Sequence, residues 1–137
     1  MTHALLAPVV ALVGLTGLVW LAMVTVRYIA VTKRLAAARY YRSYDTQPPP
    51  EWIERPARAF GNLLEVPVLF YLVALLMLFT STFDRTQIVL SWVFVGFRVL
   101  QALIHISVNR VPWRFSAYVS GCIVLIIVWV RFAISAA

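Results

Sequence analysis

Three short sets of polar side chains interrupt an otherwise apolar chain, and each is spaced to lie on one face of a helix. Arg58, Asn62 and Glu65 stand at steps of four and three. Arg98, Gln101 and His105 stand at steps of three and four, with Asn109 continuing the row, and Arg110, Arg114 and Tyr118 at steps of four. Residues three or four apart are neighbours on a helix surface, so each set forms a stripe. Their chemistry is that of anion binding. A guanidinium keeps its charge and offers a fixed fork of donors that fits a carboxylate. Glu65, the carboxylate among these residues, cannot balance Arg58, Arg98 and Arg114 together. A pairing of Glu65 with Arg98 across two helices would make those two residues structural. The arginines left over predict a small anionic ligand.

Metal chemistry fits the set poorly. His105 has no second His or Cys at ligand spacing, and His3 is terminal, so no metal site is expected. A lone helical histidine is otherwise a hydrogen-bonding packing residue. Cys122 stands alone inside an apolar stretch, with no activating neighbour evident on its own helix, and inert packing is expected of it.

The elements that must carry these stripes are membrane helices. Of 137 residues, 63% are hydrophobic and 12% charged, and mean hydropathy is +0.88. A soluble domain averages about half apolar and about a quarter charged. Four apolar stretches, over residues 4–26, 66–83, 87–108 and 115–134, have the length of a membrane crossing, which takes roughly 20 residues of helix. Lipid leaves the amides of an irregular backbone unpaired, so helices are predicted throughout. The first stretch is read as a span and not a signal peptide, because no basic residue precedes it and its apolar run is long. Gly14 and Gly17 are expected to support close helix packing.

The sequence therefore predicts an all-α, integral membrane four-helix bundle. One domain is expected over residues 1–137, with helices at about 4–40, 54–83, 86–108 and 112–135 and a connection at about 41–53. The Ala-rich "KRLAAARYYRSY" is expected to extend the first helix, and "DTQPPP" to stop it. Glu51 and Glu54 suit a helix start, Pro67 predicts a bend, and Pro112 suits the first turn of the last helix.

Arginine and lysine concentrate in the first and third connections. The positive-inside rule then puts these connections in the cytoplasm and both termini outside, with Arg131 dissenting and expected to snorkel. The active site falls toward the cytoplasm, and a bacterial inner membrane is the expected location. The net charge of +7 thus belongs mostly to a membrane surface. Anionic lipid attracts such flanking charges, and without a compact basic motif apart from the spans, nucleic acid is not an expected partner.

"RAFGNLLE", then "RVLQALIH", then "RVPWRFSAY" together resemble the MAPEG family. These are the membrane-associated proteins in eicosanoid and glutathione metabolism, which include microsomal glutathione transferases and a prostaglandin E synthase. The resemblance covers helices two to four. It implies a homotrimer that binds glutathione, as co-substrate, between neighbouring subunits near the cytoplasmic face. Arg58, Asn62 and Glu65 match the helix-two motif that helps bind the tripeptide, and Arg98 matches the arginine opening the helix-three motif. Arg110 and Arg114 match paired arginines before helix four, the second of which is held to stabilise the thiolate. Tyr118 matches a tyrosine one turn further on. Gln101 joins this set by its place on the helix-three stripe.

Three positions depart from the pattern. His105 stands where several members have a tyrosine, Phe115 where the prostaglandin synthase has a serine, and Gly61 where some relatives have an arginine. The function expected is a glutathione-dependent transferase or peroxidase acting on lipophilic electrophiles in the bilayer, with Arg114 catalytic. A non-catalytic binding or scaffold relative is the alternative, and a small transporter subunit a third reading. Against the last, the polar residues cluster at one side and helix one has no polar face.

Overall fold

The computed structural model describes residues 2–44 and 47–136. Asp45 and Thr46, inside the expected first connection, lie outside the described residues. Four long helices make the bundle: α1 Thr2–Thr32, α3 Glu51–Thr80, α4 Arg85–Ile106 and α5 Val111–Ala136, with a single turn, α2 Tyr40–Ser43, in the first connection. Each of the four is long and apolar enough to cross a membrane. Their outward faces carry side chains such as Leu18, Leu75, Phe79 and Ile126 in the open, and water does not tolerate so much continuous apolar surface. The protein is an integral membrane protein.

The helices alternate in direction, and α3 and α4 form the inner pair. α1 packs on both, α5 packs on both, and α1 and α5 do not meet among the described residues. The core runs along the middle of the bundle, where Phe70 of α3 stacks at 4.9 Å on Phe94 of α4, with Leu12 of α1 and Val128 of α5 fully enclosed. One end, the basic end, gathers the α1–α3 and α4–α5 connections.

Helix boundaries differ from expectation where packing runs out. α1, expected to reach about residue 40, ends at Thr32. Arg34 turns left-handed at φ 56°, and the amides of Leu35 and Ala36 fold back onto the Ala30 carbonyl, satisfying the end of the helix. Residues 33–39 are exposed except for half-buried Ala36. Good helix formers without an apolar face to bury make only a marginal helix in water. α3 starts earlier than expected, at Glu51, because Pro50 caps it at φ −49° and Glu51 and Glu54 fill its first turn. It runs as one helix through Pro56 and Pro67 to Thr80.

Arg27 on α1 ties the basic end together. It faces Glu54 of α3 at 3.9 Å and lies 5.0 Å from the centre of the Tyr41 ring. Burial and the Glu54 carboxylate push the Tyr41 phenol above its ordinary value, so the ring faces the cation uncharged. At the other end Asp84 caps α4 in a reciprocal box. Its carboxylate accepts from the Gln87 amide at 2.8 Å, and the Gln87 side chain accepts from the Asp84 amide at 3.0 Å. Arg131, expected only to snorkel, donates to Asp84 at 2.7 Å. Gly14 and Gly17, expected at a tight helix contact, have nothing within 4 Å of where a side chain would begin. The close approach falls at Gly121, against Arg98.

Candidate functional site

The polar cluster sits at the basic end between α3, α4 and α5, centred on His105, which is 2% exposed. One ring nitrogen, Nε2, meets Arg114 Nη1 at 3.1 Å; the other, Nδ1, meets the Asn62 side-chain amide at 3.2 Å. Neutral imidazole has one donor and one acceptor nitrogen, and a guanidinium only donates. Nε2 must therefore accept from Arg114, and Nδ1 carries the hydrogen. Asn62 then has to offer its amide oxygen to the ring, since amide oxygen and nitrogen exchange by a half-turn. Its NH2 group is thereby freed for another acceptor.

Arg98 lies deeper and is 0% exposed. Its guanidinium sits between the rings of Phe94 and Tyr118, 5.2 and 5.1 Å from their centres, and Nη2 donates to the Tyr118 carbonyl at 3.0 Å. Nε and Nη1 have no nitrogen or oxygen hydrogen-bond partner among the described residues. The Glu65–Arg98 pair, the structural alternative for these two residues, does not form. The buried face of α3 is the row Ala59, Leu63, Pro67, Phe70; Glu65 and Arg58 fall on another row and are exposed, along with Leu69 and Leu72. Among the described residues no acid forms an ion pair with Arg98. Cys122, expected to lack an activating neighbour on its helix, stands beside Tyr118 and the Arg98 guanidinium.

Asn62, Gln101, Arg114 and Tyr118 line one open cleft of about 180 Å³ together with Val111 and Phe115. Behind it Asn62, Gln101, Arg98 and His105 enclose a gap too tight for water. Asn62 and Gln101 border both spaces, so the two adjoin, with Arg114 lining the open cleft and Arg98 the closed gap behind it. Arg58 lines neither space, although it lies within electrostatic reach of His105. Arg110 belongs to a separate groove of about 330 Å³ with Leu100, Ile104, Val108 and Trp113. Of the residues singled out in the sequence, Asn62, Arg98, Gln101, His105, Arg114 and Tyr118 come together; Arg58, Glu65 and Arg110 do not join them within one chain.

Sequence reasoning missed how Arg114 is held. Asn109 Oδ1 accepts from Arg114 Nη1 at 2.8 Å, and Asn109 Nδ2 in turn donates to Glu51. Asn109 had been noticed only as the continuation of a stripe. An asparagine between two apolar stretches was the available signal, since asparagine tolerates the left-handed turn conformation that it takes here at φ 50°. Glu51 gave none, because its partner is 58 positions away.

The fold and the cleft together define a four-helix membrane bundle with a cationic, amide-lined cleft at one end. The MAPEG family model matches residues 5–134, and the chain belongs to the MAPEG family. No curated protein and no solved structure matches the chain. The family is one of glutathione-related transferases and synthases, and some of its members are not catalytic.

Proposed function

We propose that the protein is a membrane-embedded glutathione-dependent transferase or peroxidase, with Arg114 stabilising the glutathione thiolate for attack on a lipophilic electrophile. The observation that carries this reading is the placement of Arg114. Its Nη1 is committed to His105 and Asn109, and the residue lines the cleft together with Asn62, Gln101 and Tyr118. A free thiol titrates near ~8.5 and is mostly protonated at neutral pH. A fixed cation beside the sulfur favours the thiolate, and holding both reactants together supplies proximity and orientation.

The carboxylates of the tripeptide suit the freed Asn62 NH2 and Gln101 at the cleft, while the buried Arg98 charge behind them adds a longer-range attraction. A drug-sized ligand occupies about 300–1,000 Å³, so a cleft of about 180 Å³ holds only part of the tripeptide. Arg58 and Glu65 supply the remainder in a homotrimer whose sites lie between subunits. Charges beside exposed Leu69 and Leu72 on one helix face are disfavoured against lipid and are relieved when a second copy covers them. Arg110, on its separate groove, reaches the ligand only from a neighbouring subunit. By the positive-inside rule the basic connections support a site on the cytoplasmic side with both termini outside, and a bacterial inner membrane is the location proposed.

The test is titration of the detergent-purified protein with glutathione while following thiolate absorbance, in the wild type and in Arg114→Ala. Thiolate formed only by the wild type supports the enzyme. Phe115, exposed at the cleft mouth, offers the sulfur no hydroxyl and favours a second reading, a non-catalytic binding or scaffold relative. Binding without thiolate in the wild type would establish that reading, and absence of binding would favour the transporter subunit.

A further inference from the structure

We infer that Asn109 and Glu51 are positioning residues for Arg114, forming a brace that aims its free guanidinium donors into the cleft. The inference rests on the function proposed above and adds what sets the orientation of the activating charge. Both hydrogen bonds that Arg114 makes to side chains leave from one nitrogen: Nη1 donates to His105 Nε2 at 3.1 Å and to Asn109 Oδ1 at 2.8 Å. A guanidinium is planar and rigid, so fixing one nitrogen from two directions fixes the plane. Nε and Nη2 have no side-chain partner among the described residues and stay available to an anion in the cleft.

The two acceptors differ in how firmly they are themselves held. His105 is buried on α4 and anchored by Asn62. Asn109 belongs to the α4–α5 turn, which begins at Ser107, and a turn needs other support. Three contacts provide it, and two come from the first turns of α3. Asn109 Nδ2 donates to the Glu51 carboxylate, Arg55 Nη1 donates to the Ser107 carbonyl at 2.7 Å, and the Asn109 amide closes onto the Ile104 carbonyl at 2.7 Å. Glu51 and Arg55 also face each other at 3.6 Å. The start of α3 thus clamps the turn, and the turn clamps the arginine. Asparagine suits this place because its side chain accepts from Arg114 through oxygen and donates to Glu51 through nitrogen, while its backbone occupies the left-handed region at φ 50°.

The brace predicts that thiolate formation and ligand binding separate. Asn109→Gly keeps the left-handed turn accessible and removes both side-chain bonds. Asn109→Asp keeps the acceptor toward Arg114 but faces Glu51 with a like charge. Glu51→Gln keeps an acceptor for Asn109, and Glu51→Ala removes it. The experiment follows thiolate absorbance of bound glutathione against pH in the assembled, detergent-purified protein. It runs beside binding of S-methylglutathione, which has no thiol to ionise.

The expected result is an apparent thiol pKa about one unit higher in Asn109→Gly and Glu51→Ala, a roughly tenfold smaller thiolate-to-thiol ratio. S-methylglutathione affinity should stay within about twofold, and Glu51→Gln should lie close to wild type. A general loosening of the turn would weaken both ligands alike and would overturn the inference, as would an unchanged thiol pKa in Asn109→Gly. If the wild type itself forms no thiolate, the proposed function fails first, and the two failures are distinguishable.

Discussion

Replacing Gly121 by alanine tests the tightest packing in the bundle. A Cβ built at this position would lie 2.5 Å from Arg98 Nη2, 3.2 Å from Nε and 3.3 Å from Cζ. Ordinary contact begins near 3.4 Å, so the guanidinium must retreat by roughly 0.9 Å (3.4 − 2.5). On propensity alone, Gly→Ala inside a helix stabilises by about 1 kcal/mol. The retreat instead disrupts the 3.0 Å hydrogen bond from Arg98 to the Tyr118 carbonyl, and bonds from charged groups are worth about 1.5–3 kcal/mol. It also disturbs two ring contacts near 5 Å, each worth about 0.5–2 kcal/mol when desolvated. A sub-ångström retreat weakens these contacts only in part, and partial loss still outweighs the gain, so we expect Gly121→Ala to destabilise the bundle by about 1–2 kcal/mol. The assay is reversible unfolding in mixed micelles, in the wild-type background and in Arg98→Leu. With leucine at 98 the obstruction is gone, and the same alanine should be neutral or stabilising by up to about 1 kcal/mol, a coupling typical of residues in direct contact. Equal effects of Gly121→Ala in both backgrounds, or stabilisation of the wild type, would refute the packing described here.

Three further outcomes follow from the same geometry. His105→Phe removes the Nε2 acceptor of Arg114 and the Asn62 partner together, so the apparent pKa of bound glutathione thiol should rise by about one unit, read from thiolate absorbance. The Asp84 carboxylate is held below its ordinary value, first by the Gln87 amide and then by Arg131. Its stabilisation is therefore complete above the unfolded value of about 4 and lost as pH falls through the lower folded value; Asp84→Ala should cost about 1 kcal/mol at pH 7, a difference that shrinks as parallel denaturation curves are taken progressively below about pH 4. Arg27→Met leaves the largely buried Glu54 without its cation and should destabilise by about 1–2 kcal/mol, less than a fully buried pair, in the same unfolding assay.

The architecture was legible because lipid leaves few choices. Long apolar stretches separated by charged connections read directly as helices, and the basic residues mark one end. What eluded sequence reading depended on which row of a helix faces inward. Arg58, Asn62 and Glu65 share a stripe by spacing, yet in the single chain the row through Leu63 and Phe70 takes the interior and leaves Arg58 and Glu65 outside. Asn62 lies at the edge between the rows and so reaches His105. Arg98 had no signal for its true partners, because a backbone carbonyl and two aromatic rings look like nothing in sequence. Glycine carried too little information for a related reason: Gly14 and Gly17 are small residues that suit close helix packing, but within the chain only Gly121 faces a side chain that needs the room. The brace on Arg114 joins residues from α3 and the α4–α5 turn that no local pattern connects.

The central claim is that the cleft beside Arg114 takes up glutathione as its thiolate, and proton release on binding measures this most directly. Calorimetric titration at pH 7, in two buffers of different ionisation enthalpy, counts protons released per ligand bound. The account predicts a release approaching one proton for each glutathione bound and none for S-methylglutathione. Equal release for the two ligands, or none for either, would contradict it.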